Sequence, residues 1–420
     1  MNLWSELDNQ QTPLEAVKGG RMRRLTENFV LSSMRAWLLQ DYMLPYCRSL
    51  AASRIYRRCY WIDGWGGDTR TFATGNENGT QPTRGRKKEI VAALPAILQP
   101  VVALSATLAK EQRPIALNGI MLVPSSSTSS RRKAAANDVL TVPEKSGLMR
   151  GSWLEAAPVL LKAIESSPAI FLLNPFGTKL FTQDALTPLY QRTTAPTELC
   201  LLIPHKQAEV RLLAAAQTAE GAAHLTALLR SDRWKGFLPH PETKEGKEPF
   251  PLIDRFIEML VAVLQRHFLT VQHISFPVVA GPAVVELAPY SLLFATRSKE
   301  SLLRMNDAVC LYRRHINEES YKGTLNETWF AQQQQERYTE EQQELYRRVL
   351  HQGQSQRSRR WPDLRQQLIL AQSGFYPAYE YDATINRLIA DGSVLCEWKR
   401  PLLAGEDMRV PGSEDILVWR

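Results

Sequence analysis

Hydrophobic residues along this chain recur at two alternating periods. Val30, Leu31, Met34, Trp37 and Leu38 fall at three- and four-residue spacings, the period of a helix with one apolar face. A second helix is expected after Asp41, carrying Tyr42, Leu44, Tyr46, Leu50 and Tyr56. The period then shortens. Tyr60-Trp61-Ile62-Asp63 reads as a short buried strand ending in an acid, and Gly64-Trp65-Gly66-Gly67 as the turn after it. Helix 88–109, strand 115–123, short strand 138–142 and helix 152–165 come next, with Ser152 as N-cap because its hydroxyl can accept from a free first-turn amide. The apolar run 168–173 closes in Asn174-Pro175-Phe176-Gly177. Such continuous runs read as strands buried on both faces. Helix 182–192, strand 198–203, helix 207–229 and helix 252–268 continue the alternation. Strands 273–279 and 284–296, joined by Ala280-Gly281-Pro282, read as a hairpin, and helix 298–312 follows. The expected fold class is α/β: a doubly wound, Rossmann-like sheet with an antiparallel edge hairpin.

The pattern changes near residue 317. Residues 317–326 are polar and 332–335 are all glutamine, so 317–335 reads as a linker. Helices are expected at 338–351, 362–372 and 379–390, with a basic loop at 353–360 and strands at 394–399 and 416–419. Three helices and a two-stranded wing are the plan of a winged-helix module. The expected domains are therefore 1–316, with the N-terminal helices on the sheet, and 336–420.

Composition narrows the classes. A chain of 420 residues with 44% hydrophobic and 22% charged positions can bury a large core. The net charge of +8 permits an anionic partner without demanding one. Positive charge gathers in the tail, where Arg347, Arg348, Arg357, Arg359, Arg360 and Arg365 are accompanied by one acid, Asp363, and interleaved with His351 and Trp361. Of these, Arg357, Arg359, Arg360 and Arg365 are the candidate contacts to nucleic-acid phosphates. The alternative is a solvated face on a protein-binding adaptor. The five cysteines include no CxxC, which argues against a zinc site and a disulfide framework and fits a reducing cytosol. Residues 1–11 are polar and no run of 18 apolar residues occurs, so a cytoplasmic protein with no membrane segment and no metal is expected.

Three features carry candidate chemistry. The glycines after Asp63 let the backbone approach a ligand, or simply make a tight turn. The loop 68–86, rich in Gly, Asn and Thr, follows a strand directly, a place where long loops are often functional. His205, just after strand 198–203, falls at a carboxyl end of the sheet, where it can act as a base or merely cap a helix. The other histidines show no ligand spacing, and neither a nucleophile elbow nor a phosphate-binding GxxxxGK[ST] loop is present.

Asp63-Gly64-Trp65-Gly66-Gly67, Asn174-Pro175-Phe176-Gly177, and Leu293-Phe294-Ala295-Thr296 followed by Leu302-Leu303-Arg304-Met305-Asn306-Asp307 fall in an order that resembles the three-Cys-motif partner proteins. With the N-terminal helices and the tail, the resemblance covers most of the chain. It implies a class I methyltransferase fold, S-adenosylmethionine as cofactor, and a separate protein carrying the three cysteines as partner. Asp63, Gly64, Gly66 and Gly67 would hold the cofactor. Asn174, Pro175 and Phe176 resemble the [Asn/Asp]-Pro-Pro-[Phe/Tyr] of amino-methylating enzymes, where the side chain and a proline carbonyl accept from the target amine and the ring stacks on a flipped base. Only one proline is present here, and an ordinary strand exit reads the same way. The chain departs from the pattern in two more places. Leu122-Val123-Pro124-Ser125 has no acid for the ribose hydroxyls, and Gly151-Ser152 stands where Gly-Asp is expected. Each missing bond to a charged group is worth roughly 1.5–3 kcal/mol, or about one to four powers of ten in affinity from one bond to both. Two functions follow: a methyltransferase-like protein acting on or with nucleic acid through a weakened cofactor site, or a non-catalytic scaffold.

Overall fold

The computed structural model describes residues 34–64, 98–111, 115–123, 141–176, 181–238, 252–276, 290–321, 327–357, 359–400 and 409–420. Trp65, Gly66, Gly67, the loop 68–86 and Gly177 lie outside them. A π-helical turn, Leu38–Met43, runs into α1 (Leu44–Ser53). Then come β1 (Arg58–Gly64), α2 (Gln99–Lys110), β2 (Ala116–Val123), β3 (Gly147–Arg150), α3 (Trp153–Ala163), β4 (Ala169–Leu173), α4 (Gln183–Gln191) and β5 (Thr197–Pro204). They are followed by α5 (His205–Ala216), α6 (Ala219–Leu229), α7 (Leu252–Leu264), β6 (Thr270–Phe276) and β7 (Tyr290–Thr296). The remainder is α8 (Lys299–Tyr321), α9 (Glu327–Gln356), α10 (Trp361–Ala371), α11 (Ala378–Ala390), β8 (Val394–Glu397) and β9 (Ile416–Trp419).

The seven-stranded sheet has the order β3-β2-β1-β4-β5-β7-β6. Strands β1 to β5 pair in parallel, and β7 pairs antiparallel with β5. This is the expected α/β class with a mostly parallel sheet; β6 lies beside β7 at one edge, and the expected turn Ala280-Gly281-Pro282 lies outside the described residues. Every residue of β4, β5 and β7 is buried, which is why their sequences run apolar without alternation. On one face Phe171, Leu173, Leu199, Leu201 and Leu293 meet Leu160, Leu189, Phe256, Ile257 and Leu260 from α3, α4 and α7.

The sequence pattern errs at several joints. The third strand is Gly147–Arg150, not 138–142: the described part of that stretch, Thr141 and Val142, is irregular. The helix expected at 207–229 is two helices, because the Thr218 hydroxyl accepts from the Gly221 amide at 3.0 Å and starts α6 afresh. The expected linker 317–335 is largely helical, its first residues in α8 and its last nine in α9. Likewise α9 runs through the first half of the expected basic loop, to Gln356.

The described residues fall into two compact units. The first takes residues 43–273 and β7; the second takes residues 34–42, the end of β6 and everything from Lys299 on. The boundary thus falls ahead of α8 rather than near residue 316. Side chains of α8 explain the shift. Asn306, fully buried, donates from Nδ2 to Tyr376 O and accepts from Gly374 N, both at 2.8 Å, while Asp307 Oδ1 accepts from Ala378 N at 2.7 Å. These bonds hold the α10–α11 turn, in which Gly374 has φ +75° and leaves no room for a Cβ beside Val309. In the same unit α9, α10, α11 and the antiparallel β8–β9 pair share a core of Leu345, Val349, Trp361, Ile385 and Val394.

Candidate functional site

Strand order reverses between β1 and β4: β2 and β3 lie on one side and β5 on the other. In open α/β sheets the crevice outside the carboxyl ends at such a reversal is where ligands bind. The register pairs Asp63 with Leu172 and Gly64 with Leu173, so Asn174 begins one residue beyond the last pair. Two of the sequence motifs therefore meet on neighbouring strand ends at this point. Asp63 is fully buried at the end of β1. A Cβ on Gly64 would lie 2.5 Å from Leu173 Cδ2 and 3.6 Å from Leu122 Cδ1. Packing across three strands therefore accounts for Gly64.

The residues around this crevice fit a nucleoside only in part. β2 ends at Val123, and no Asp or Glu occurs in the sequence from Ala116 to Asn137, where the resemblance calls for an acid. At the next strand end Gly151 has φ +131° and donates its N–H to Val123 O at 2.9 Å, turning the chain out of β3. Ser152 is the N-cap of α3, as its sequence suggested, and its N–H donates to Glu155 Oε2 at 2.7 Å. Turn and cap chemistry account for both residues.

Asn174, Pro175 and Phe176 are engaged within the protein. Asn174 Oδ1 accepts from the Phe176 amide at 2.8 Å, a turn in which the side chain mimics backbone. Pro175 O accepts from the Phe181 amide at 3.0 Å. The Phe176 ring is fully buried and meets Phe256 edge-on, with centroids 5.3 Å apart. Each of the two acceptors already takes one hydrogen bond from the protein, and Phe176 is a core residue.

At the carboxyl end of β5 the structure assembles a cluster that the sequence pattern missed. His205, half-buried as the first residue of α5, brings Nε2 to 2.7 Å from Ser291 Oγ. On the other side of the same hydroxyl lies His273 Nε2, 2.9 Å away. Ser291 is fully buried; His273 is exposed over part of its surface, with its Nε2 turned to that buried hydroxyl. Burial pushes the pKa of His205 down, against the pull of Asp254 and Glu209. Burial and the neighbouring His205 push His273 down too, against Asp254 and Glu258. Of the three, only His205 stands out in the sequence. The others come from β6 and β7, and only cross-strand pairing brings them to it.

In the second unit the basic residues divide. Arg357, Arg359 and Arg360 are exposed, spanning the end of α9 and the start of α10. Arg357 has φ +48° at the end of its helix, Arg359 O accepts from Leu417 N at 2.9 Å, and Arg360 is the N-cap of α10. Their backbones fix the segment and leave the guanidiniums outside. Arg365 is different: its Nη1 lies 2.7 and 2.5 Å from the two carboxylate oxygens of Asp382. Asp382 also accepts from Trp361 Nε1 at 2.7 Å, and Trp361 is fully buried. Arg365 and Trp361 therefore belong to the helix packing, and of the expected phosphate contacts Arg365 is held by a carboxylate of the protein itself.

Among the described residues, no cluster of His, Cys, Asp and Glu could hold a metal ion, and no helix is long and apolar enough to cross a membrane. No family model, curated protein or solved structure matches the chain.

Proposed function

We propose that this chain is an S-adenosylmethionine-dependent, methyltransferase-like protein that acts on or with nucleic acid, with a cofactor site weakened at its ribose end. One observation carries the reading: Asp63-Gly64 and Asn174 end neighbouring strands where the strand order reverses, the place this architecture uses for ligands. The antiparallel β7 beside β5 agrees with a methyltransferase-type sheet. The three helices with a two-stranded wing, and the exposed Arg357, Arg359 and Arg360, support a winged helix that contacts phosphates. In this reading the chain works in the cytoplasm beside a separate three-cysteine-motif protein. Isothermal titration with S-adenosylmethionine and S-adenosylhomocysteine tests it. Weak, saturable heat is expected, abolished in Asp63→Asn; no heat at millimolar ligand overturns the cofactor assignment.

A second reading is a scaffold that keeps the fold without the chemistry. The internal engagement of Asn174, Pro175 and Phe176 favours it, together with the missing carboxylate at the end of β2. In that case the exposed arginines carry the function alone.

A further inference from the structure

A hydroxyl has one proton and can accept two more hydrogen bonds. Ser291 Oγ lies within 2.7 Å of His205 Nε2 and 2.9 Å of His273 Nε2, so when both rings are neutral it donates to one and accepts from the other. The rings are thereby held in unlike states at Nε2, one carrying the proton and one bare. Their positions differ as well. Because Leu173 pairs with Leu201, His205 follows four residues above that level, opening α5 at the carboxyl end of β5, the strand next to β4. Ser291, opposite Ile203, is sealed from solvent, and His273 packs its Nε2 against it while part of its surface reaches water. The three side chains run from the carboxyl end of β5, through a buried hydroxyl, to a ring that reaches the surface.

We propose that His205, Ser291 and His273 form a proton relay that takes a proton from a nitrogen or oxygen acid bound in the crevice and delivers it to solvent. The identity of the crevice rests on the function proposed above. The acid's N–H or O–H bond breaks with its electron pair staying on the acid, and the proton passes to His205 Nδ1. The proton on His205 Nε2 moves to Ser291 Oγ as the serine's own proton moves to His273 Nε2. One proton enters at His205, one leaves from His273 to water, and Ser291 carries no net charge before or after. The charged groups facing the pair are Asp254 and Glu258 of α7 and Glu209 of α5, all acidic, and they favour the imidazolium that the transfer creates. Burial lowers the pKa of both rings, which favours their neutral, proton-accepting form. His205 is the residue that meets the acid; Ser291 and His273 act through it.

The test is nitrogen-15 NMR of the histidine rings in the full chain, titrated from acid to mildly alkaline pH with no ligand added. The expected result is that His205 and His273 occupy opposite tautomers at neutral pH and titrate as a coupled pair. Ser291→Ala should separate them into two independent curves, and Ser291→Thr, which restores the hydroxyl, should restore the coupling. In His273→Gln the exchange of the His205 Nε2 proton with water should slow by about a hundredfold, the lower end of what a positioned acid–base group contributes. Identical His205 titration curves in the wild type and Ser291→Ala overturn the relay, as does unchanged exchange in His273→Gln. Since no methyl donor is present, that failure is distinct from a failure of cofactor binding in calorimetry.

Discussion

At the scale of the residue, polar side chains that look like functional candidates divide by what already occupies them. Asn306 and Asp307 belong to a motif that supports the methyltransferase resemblance, yet their hydrogen bonds all go to the backbone of residues 374–378 or to each other. Their work here is to anchor the α10–α11 turn. Asn306→Ala would leave Tyr376 O and Gly374 N without partners in a buried place. Each unsatisfied group costs about 1–3 kcal/mol, so a destabilisation of roughly 2–6 kcal/mol is expected in urea denaturation. A change under about 0.5 kcal/mol, the size of a neutral surface substitution, would show that the turn holds without it. Arg365 misleads for a related reason. Six arginines in nineteen residues look alike in a sequence, and nothing there marks Asp382, seventeen positions on, as the carboxylate that takes one of them.

At the scale of the element, hydrophobic period finds most of the helices and strands and misplaces the joints. Period reports burial on one face, and a chain can change direction without interrupting it, as α5 and α6 do at Thr218. The opposite error arises at Gly353, which reads as a loop residue. It lies inside α9, and a Cβ there would collide with the Trp419 ring of β9. The glycine is a seat for the tryptophan, a tertiary demand with no local signature. Gly353→Ala is therefore expected to push β9 off the helix even though alanine is the better helix former. Overpacking of this kind costs about 1–3 kcal/mol. A change in Trp419 fluorescence with unchanged helical circular dichroism would be the observation; an unaltered tryptophan spectrum would refute it.

At the scale of the whole molecule, the candidate ligand crevice and the exposed arginines lie on different compact units, so their contributions should separate. Arg359→Glu combined with Arg360→Glu is expected to weaken duplex binding in fluorescence anisotropy and to lower the salt dependence, by about 0.9 in slope for each phosphate no longer neutralised. The heat of S-adenosylmethionine binding should be unchanged in the same variant, and Asp63→Asn should show the reverse pattern. If biological activity survives Asp63→Asn but not the arginine pair, the scaffold reading is correct. If it survives the arginine pair but not Asp63→Asn, the scaffold reading fails.

Sequence by itself determined the α/β class, the succession of most strands and helices, and the strand-end position of Asp63 and Asn174. Each follows from local chemistry: apolar runs demand burial, and glycine, proline, serine and threonine mark turns and caps. Tertiary structure alone decided which polar groups are left for function. It placed Phe176 in the core, gave Arg365 to Asp382, carried the unit boundary ahead of α8, and brought His273 and Ser291 to His205. A hydrogen bond or ion pair is fixed by distances in space between residues far apart in the chain. Strand order and register set those distances, and hydrophobic pattern does not encode them.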